Sequence, residues 1–93
     1  MVSLTSVVRT APGVEVTEIQ GETVVLDPSG RKIRGFNPSA AYLWRRLDGR
    51  STVGALAVAL TEEFDVELAA AEEAALTFVR ELVALGLVVA TAA

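Results

Sequence analysis

The first half of the chain alternates between apolar and polar residues in the way that short β-strands do. Val14, Val16 and Ile19 stand among polar neighbours. Residues 23–26 form a β-branched, apolar run with high strand propensity. Gln20-Gly21 lies between the two segments and has the composition of a tight turn. The pattern therefore predicts two strands that pair through a hairpin.

A third strand is predicted directly after a second turn. Asp27-Pro28-Ser29-Gly30 has Pro second and Gly fourth, which suits a type I turn. Residues 31–36 follow, with Ile33 and Phe36 as the large apolar side chains. We expect the three strands to form one antiparallel sheet.

The second half changes to the three- and four-residue spacing of amphipathic helices. Asn37-Pro38 is a helix start, because Asn caps free N–H groups and Pro at the first position loses no hydrogen bond. Asp48-Gly49 is predicted to end this helix, and Ser51 or Thr52 to cap the next one. The apolar stripes of the two helices are Ala40, Leu43, Trp44 and Leu47, and then Val53, Leu56, Ala57, Leu60 and Phe64.

A third and longest helix is predicted to begin at Asp65 and to end at Gly86, with the apolar tail 87–89 behind it. The order βββααα indicates an α+β fold, a three-stranded antiparallel sheet followed by three helices in a winged helix-turn-helix-like architecture. We expect residues 1–11 to be a flexible N-terminus and residues 12–93 a single domain. The apolar face of the third helix consists of Leu68, Ala71, Ala75, Phe78, Val79 and Leu82.

Composition narrows the chemistry of this domain. The 93 residues include no cysteine and no histidine, which excludes disulfides, Cys/His zinc sites and Cys- or His-based nucleophiles. The adjacent pairs Glu62-Glu63 and Glu72-Glu73 point about 100° apart on a helix and do not converge on a metal. We therefore expect no enzymatic activity, no metal and no cofactor.

Charge and hydropathy limit the possible cellular location and binding partners of the protein. The net charge of −4 is unfavourable for neutralising phosphates, so we expect no nucleic-acid partner. The longest weakly polar stretch, 82–93, is shorter than the roughly 20 residues of a membrane helix, and no signal peptide is apparent. We expect a cytoplasmic protein without a membrane partner.

A spaced series of residues from position 14 to position 88 resembles the PqqD family. Family members often have Leu where this chain has Phe36, which is an exchange of one apolar residue for another. The resemblance implies a RiPP recognition element, a non-catalytic domain that binds the leader segment of a ribosomally made precursor peptide and presents it to modifying enzymes. The series runs Val24-Val25-Leu26-Asp27, Gly30, Phe36-Asn37, Ala40-Ala41, Leu43-Trp44, Leu47-Asp48-Gly49, Thr52-Val53, Leu60, Phe64-Asp65-Val66, Phe78-Val79, Leu82 and Gly86-Leu87.

The resemblance also implies where the leader binds, as an added strand beside the third strand and in the groove shared with the third helix. An open strand edge offers unpaired N–H and C=O groups to such a peptide. Arg31, Lys32 and Arg34 would suit an acidic leader, or they would protect the open edge from aggregation. The expected binding residues are Arg31, Lys32, Ile33, Arg34, Gly35 and Phe36 on the strand, and Ala71, Ala74, Ala75, Phe78 and Leu82 on the helix.

The sequence leaves open the partner enzyme, the oligomeric state and one alternative function. The partner enzyme is either a radical SAM enzyme, as for PqqD itself, or the leader protease of a lasso-peptide cluster, in which case the chain is the cluster's discrete leader-binding protein. Oligomers could form through the open edge strand. The alternative function is a winged-helix DNA-binding regulator, which the acidic third helix, with Glu67, Glu72, Glu73 and Glu81 against Arg80, disfavours.

Overall fold

Strands and helices follow one another in a mixed order in the computed structural model, which describes residues 2–91. The α+β class is confirmed, with antiparallel sheets and three helices in the described part of the chain. The expected order of three strands and then three helices is wrong. The elements are β1 (Val7–Thr10), β2 (Glu15–Ile19), β3 (Glu22–Leu26), β4 (Lys32–Phe36), α1 (Pro38–Trp44), β5 (Asp48–Thr52), α2 (Val53–Glu63), α3 (Leu68–Ala84) and β6 (Val88–Thr91).

The predicted three-stranded sheet is present, in the order β2-β3-β4. Val16 stands opposite Val25 in the first hairpin, and Val24 opposite Gly35 in the second. At the first turn, Gln20 has φ 52° and Gly21 has φ 81°. Two positive φ angles in succession are what a two-residue turn of type I′ requires, and the twist of that turn matches paired strands.

Asp27 holds the second turn in place. The Gly30 N–H donates to the Asp27 carbonyl oxygen at 2.8 Å. The Asp27 carboxylate accepts hydrogen bonds from the Ser29 hydroxyl at 2.6 Å and from the Arg31 N–H at 3.0 Å. These bonds, that of the Ser29 hydroxyl above all, hold the pKa of Asp27 below its ordinary value.

A second antiparallel sheet, β5-β1-β6, was not expected. Val7 of β1 stands opposite Thr52 of β5 on one side and Thr91 of β6 on the other. Residues 7–10 therefore form the central strand of this sheet, where the sequence suggested a loose terminus, and Val8 is 1% exposed. Because β1 and β6 are separated by almost the whole chain, a local sequence pattern cannot reveal their pairing.

The helix starts are set by local capping chemistry. The Asn37 side chain accepts from the Ala40 N–H at 2.8 Å, and the Thr52 hydroxyl accepts from the Ala55 N–H at 3.1 Å. Both predicted caps are therefore confirmed. The predicted start of α3 is wrong by three residues. The helix begins at Leu68, after the cap residue Glu67, and not at Asp65.

The hydrophobic core lies between the helices and the inner faces of the two sheets. An aromatic cluster joins them: the ring centroid of Phe36 is 5.6 Å from that of Trp44 and 5.5 Å from that of Phe78. Val25, Leu56 and the buried residues of α3 belong to the same hydrophobic core. Among residues 2–91, no helix is long and apolar enough to cross a membrane.

Candidate functional site

The candidate site begins at the free edge of β4. This strand pairs with β3 on one side, and it is the last strand of its sheet. Within residues 2–91, no other strand pairs with its outer side. Alternate residues of such an edge present N–H and C=O groups that have no partner in a strand ladder.

A groove of about 460 Å³ opens beside this edge. Helix α3 supplies one wall, and the other combines Arg34 of β4, residues of α1 with its cap Asn37, and Leu60 of α2. On α3 the lining residues recur at helical spacing, so that they share one face. The lining consists of Arg34, Asn37, Ser39, Ala40, Leu43, Leu60, Ala70, Glu73, Ala74, Thr77, Phe78 and Glu81.

An ion pair spans the groove between β4 and α3. The Nη1 atom of Arg34 lies 2.7 Å from the Oε2 atom of Glu81, and the Arg34 guanidinium carbon lies 5.7 Å from the centre of the Phe36 ring. The Arg34 side chain is 35% exposed and that of Glu81 is 50% exposed. Such a solvated pair contributes at most about 1 kcal/mol to stability, and it places the Arg34 guanidinium beside the α3 wall of the groove.

The other two basic residues of the expected cluster also have acidic partners within the chain. Arg31 pairs with Asp27 at 3.2 Å, and Lys32 pairs with Glu22 at 3.7 Å. Arg31 lies in the turn before β4 and not in the strand. The positive charges of the cluster are therefore balanced locally.

The structure brings some of the expected site residues to the groove and leaves others in the core. Arg34, Ala74 and Phe78 line the groove. The side chain of Ile33 is half-buried against the core, and the Glu22 carboxylate fills the space where a side chain at position 35 would stand. Buried in the core are Phe36, Ala71, Ala75 and Leu82, of which the last three are fully enclosed.

Several lining residues were missed by sequence reasoning. On α3 the groove is formed by Ala70, Glu73, Thr77 and Glu81, which flank the apolar stripe. Most of the stripe faces the core, so apart from Phe78 the residues with which α3 lines the groove are small or polar. A search for small residues beside the stripe of the last helix would have found this face.

The carboxylates of residues 2–91 do not cluster as metal ligands would. No group of three or more acidic side chains within 2–91 is arranged to hold a metal ion. Asp48 accepts from the N–H groups of Arg50 at 2.8 Å and Ser51 at 2.9 Å. The Arg50 N–H has the largest effect, and together these bonds lower the pKa of Asp48. A general acid needs a raised pKa, so Asp48 does not suit that role.

Comparison with known proteins identifies the family. Residues 22–88, well over half of the chain, match the family described as Coenzyme PQQ synthesis protein D (PqqD). The chain belongs to the PqqD family. The match begins at the first residue of β3 and ends at the first residue of β6, and it includes β4, α3 and the groove between them.

Two solved structures resemble this PqqD-family chain along most of its length. A lasso peptide synthetase B1, complexed with the leader peptide, is 28% identical with a TM-score of 0.75, over 89% of this chain and 98% of that one. TbiB1, in complex with the TbiA(beta) leader peptide, is 21% identical with a TM-score of 0.72, over 86% of this chain and 93% of that one. At 21% identity, the similarity to TbiB1 shows a shared fold and nothing more. Comparison with curated protein sequences gives no match.

Proposed function

We propose that this protein binds the leader segment of a ribosomally synthesised precursor peptide and presents it to a modifying or leader-cleaving enzyme, without catalysing a reaction itself. The observation that carries the proposal is the free edge of β4 beside the groove on α3. The B1 relative, with 28% identity along almost its whole length, was solved with a leader peptide.

The physical basis is strand addition. A peptide that pairs with the outer edge of β4 gains main-chain hydrogen bonds, and side-chain pockets then discriminate among sequences. The groove volume of about 460 Å³ lies within the range of roughly 300–1,000 Å³ that is usual for ligand sites. Ala70 and Ala74 leave space on the α3 wall, while Leu43, Leu60 and Phe78 give the groove an apolar lining.

The partner enzyme is proposed from the kind of protein that the B1 relative is. The B1 relative, a lasso peptide synthetase component of similar length, favours the lasso-type role, in which a discrete leader-binding protein serves a separate leader protease. A radical SAM partner is the alternative within the same family. We further propose a winged helix-turn-helix-like arrangement and a cytoplasmic location.

Duplex DNA is a poorer fit to the same surface. Helix α3 carries Glu72, Glu73 and Glu81 against a single basic residue, Arg80. Carboxylates on a helix in the major groove would be repelled by the flanking phosphates. The charge of α3 therefore favours a peptide over DNA.

The experiment fills the groove with a side chain. Ala74 is exposed and lines the groove, so Ala74→Trp should leave the fold intact and obstruct the peptide. Ala69 is exposed on the same helix and lies outside the groove lining, so Ala69→Trp is the matched control. Binding is measured by fluorescence anisotropy with labelled leader peptides of lasso-type precursors.

We expect Ala74→Trp to weaken leader binding at least about ten-fold, a loss of about 1.4 kcal/mol. Ala69→Trp should bind like the unaltered protein, and circular dichroism should show equal helix content in both variants. Equal affinity of the two folded variants would place the peptide elsewhere and remove the proposal.

A further inference from the structure

The groove carries a net negative charge, although a basic residue of β4 contributes to its lining. Three charged residues line the groove: Arg34, Glu73 and Glu81. Arg34 is paired with Glu81 at 2.7 Å. The Glu73 carboxylate forms no ion pair or hydrogen bond with any residue of 2–91. One cation against two carboxylates leaves the groove with a formal charge of −1, located at Glu73.

An acidic peptide would gain little from the basic residues of β4. The Arg34 guanidinium already has Glu81 at 2.7 Å, so a peptide carboxylate that reached it would share a cation whose charge is largely offset and would lie close to the like charge of Glu81. Lys32 and the preceding Arg31 are already opposite carboxylates of the chain. The open electrostatic position of the groove is therefore the carboxylate of Glu73, which attracts a cation.

The spacing along α3 gives the position of that cation in the peptide. Glu73 and Glu81 are eight residues apart, which is about 12 Å along a helix at 1.5 Å per residue. An extended peptide rises about 3.3 Å per residue, so about four peptide residues span the same distance. Residues at positions 1, 3 and 5 of a strand share a face. Between the two glutamates the groove is lined by Ala74, Thr77 and Phe78.

We propose that the groove selects leader segments in which a Lys or Arg side chain faces Glu73 and an apolar side chain, two residues away, faces Ala74 and Phe78. A further two residues along, the side chain lies at the Arg34–Glu81 pair, which favours a neutral polar group there. This inference rests on the proposed function and names the class of leader that the site takes: basic and apolar, not acidic.

The test is a selection from a displayed library of random 12-residue peptides, made separately on the unaltered protein, on Glu73→Lys and on Glu72→Lys. Glu72 is next to Glu73 on α3 but does not line the groove. Glu72→Lys therefore makes the same change in net charge outside the groove and is the matched control. Ala74→Trp serves as the blocked-groove control.

We expect Lys and Arg to be enriched at one position in peptides selected by the unaltered protein and by Glu72→Lys, two residues from an enriched apolar position. Glu73→Lys should enrich Asp and Glu at that position instead. Changing the enriched cation to Gln should weaken binding about two- to five-fold in the unaltered protein, as for other solvated ion pairs, with no effect in Glu73→Lys.

The outcomes separate this inference from the function on which it rests. If peptides depend on an open groove but show the same charge preference with Glu73→Lys as without it, the role of Glu73 is wrong and peptide binding stands. If Ala74→Trp retains the same peptides as the unaltered protein, or if no peptides are enriched, both the inference and the strand-addition model fail.

Discussion

Phe78 belongs both to the groove lining and to the core, and its truncation separates the two roles. The side chain is 8% exposed and makes an edge-to-face contact with Phe36 at 5.5 Å. Removing a buried phenyl ring costs about 3–5 kcal/mol. At about 0.05–0.15 kcal/mol per residue, a domain of 93 residues has a total stability of about 5–14 kcal/mol. Phe78→Ala should therefore remove a large share of the free energy of unfolding.

Urea unfolding measures this loss. Trp44 is the single tryptophan of the chain and lies in the same aromatic cluster, so its fluorescence reports on the core. With a denaturant slope of about 1.5 kcal/mol per M, the midpoint should fall by about 2–3 M. Thr77→Ala, at the exposed neighbouring position, should change stability by less than about 0.5 kcal/mol.

A small loss would refute this interpretation. If Phe78→Ala lowered the free energy of unfolding by less than about 1 kcal/mol, with an unchanged denaturant slope, the ring would act mainly as a wall of the groove. The aromatic cluster of Phe36, Trp44 and Phe78 would then not be the centre of the core, and the packing of α3 on β4 would need another explanation.

Two further predictions concern capping and acid stability. Asn37→Ala removes the hydrogen bond from the Ala40 N–H and should lower the free energy of unfolding, measured by thermal unfolding, by about 1 kcal/mol. An unchanged melting temperature would mean that Pro38 alone starts α1. The folded-state pKa values of Asp27 and Asp48 lie below their ordinary value of 3.8. The two ionised carboxylates therefore stabilise the fold fully above pH 3.8, and this stabilisation is lost as the pH falls through their lowered folded-state pKa values. Asp27→Asn with Asp48→Asn should therefore flatten the acid decline of the melting temperature, and an identical decline in both proteins would contradict the assignment.

The features that the sequence predicted correctly depend on neighbouring residues. The cap at Asn37 and the hairpin at Gln20-Gly21 each require only a few residues and their backbone angles. Gly86, with φ 74°, follows the end of α3 as predicted. Local chemistry of this kind can be inferred without knowing which distant segments meet.

The second sheet depends on distant contacts, and for that reason the order of elements was wrong. Strand β1 lies between β5 and β6, which are about 40 and 80 positions further along the chain. Leu47 continues the spacing of α1, which favoured a longer helix, but the helix ends at Trp44 and residues 48–52 pair with β1. Tertiary pairing overrides local propensity at such positions.

The burial of the apolar stripe explains why the sequence predicts only part of the α3 side of the site. Hydrophobic periodicity identifies the face of α3 that is most strongly buried, and there Ala71, Ala75 and Leu82 are 0% exposed. A docking surface has to remain open, so on α3 the groove is lined mostly by small, polar and charged residues beside that stripe, together with Phe78. Ala74 and Glu73 meet this condition: one leaves space and the other leaves a charge without a partner among residues 2–91. On a short amphipathic helix, the groove is therefore expected at the border of the apolar stripe and not at its centre.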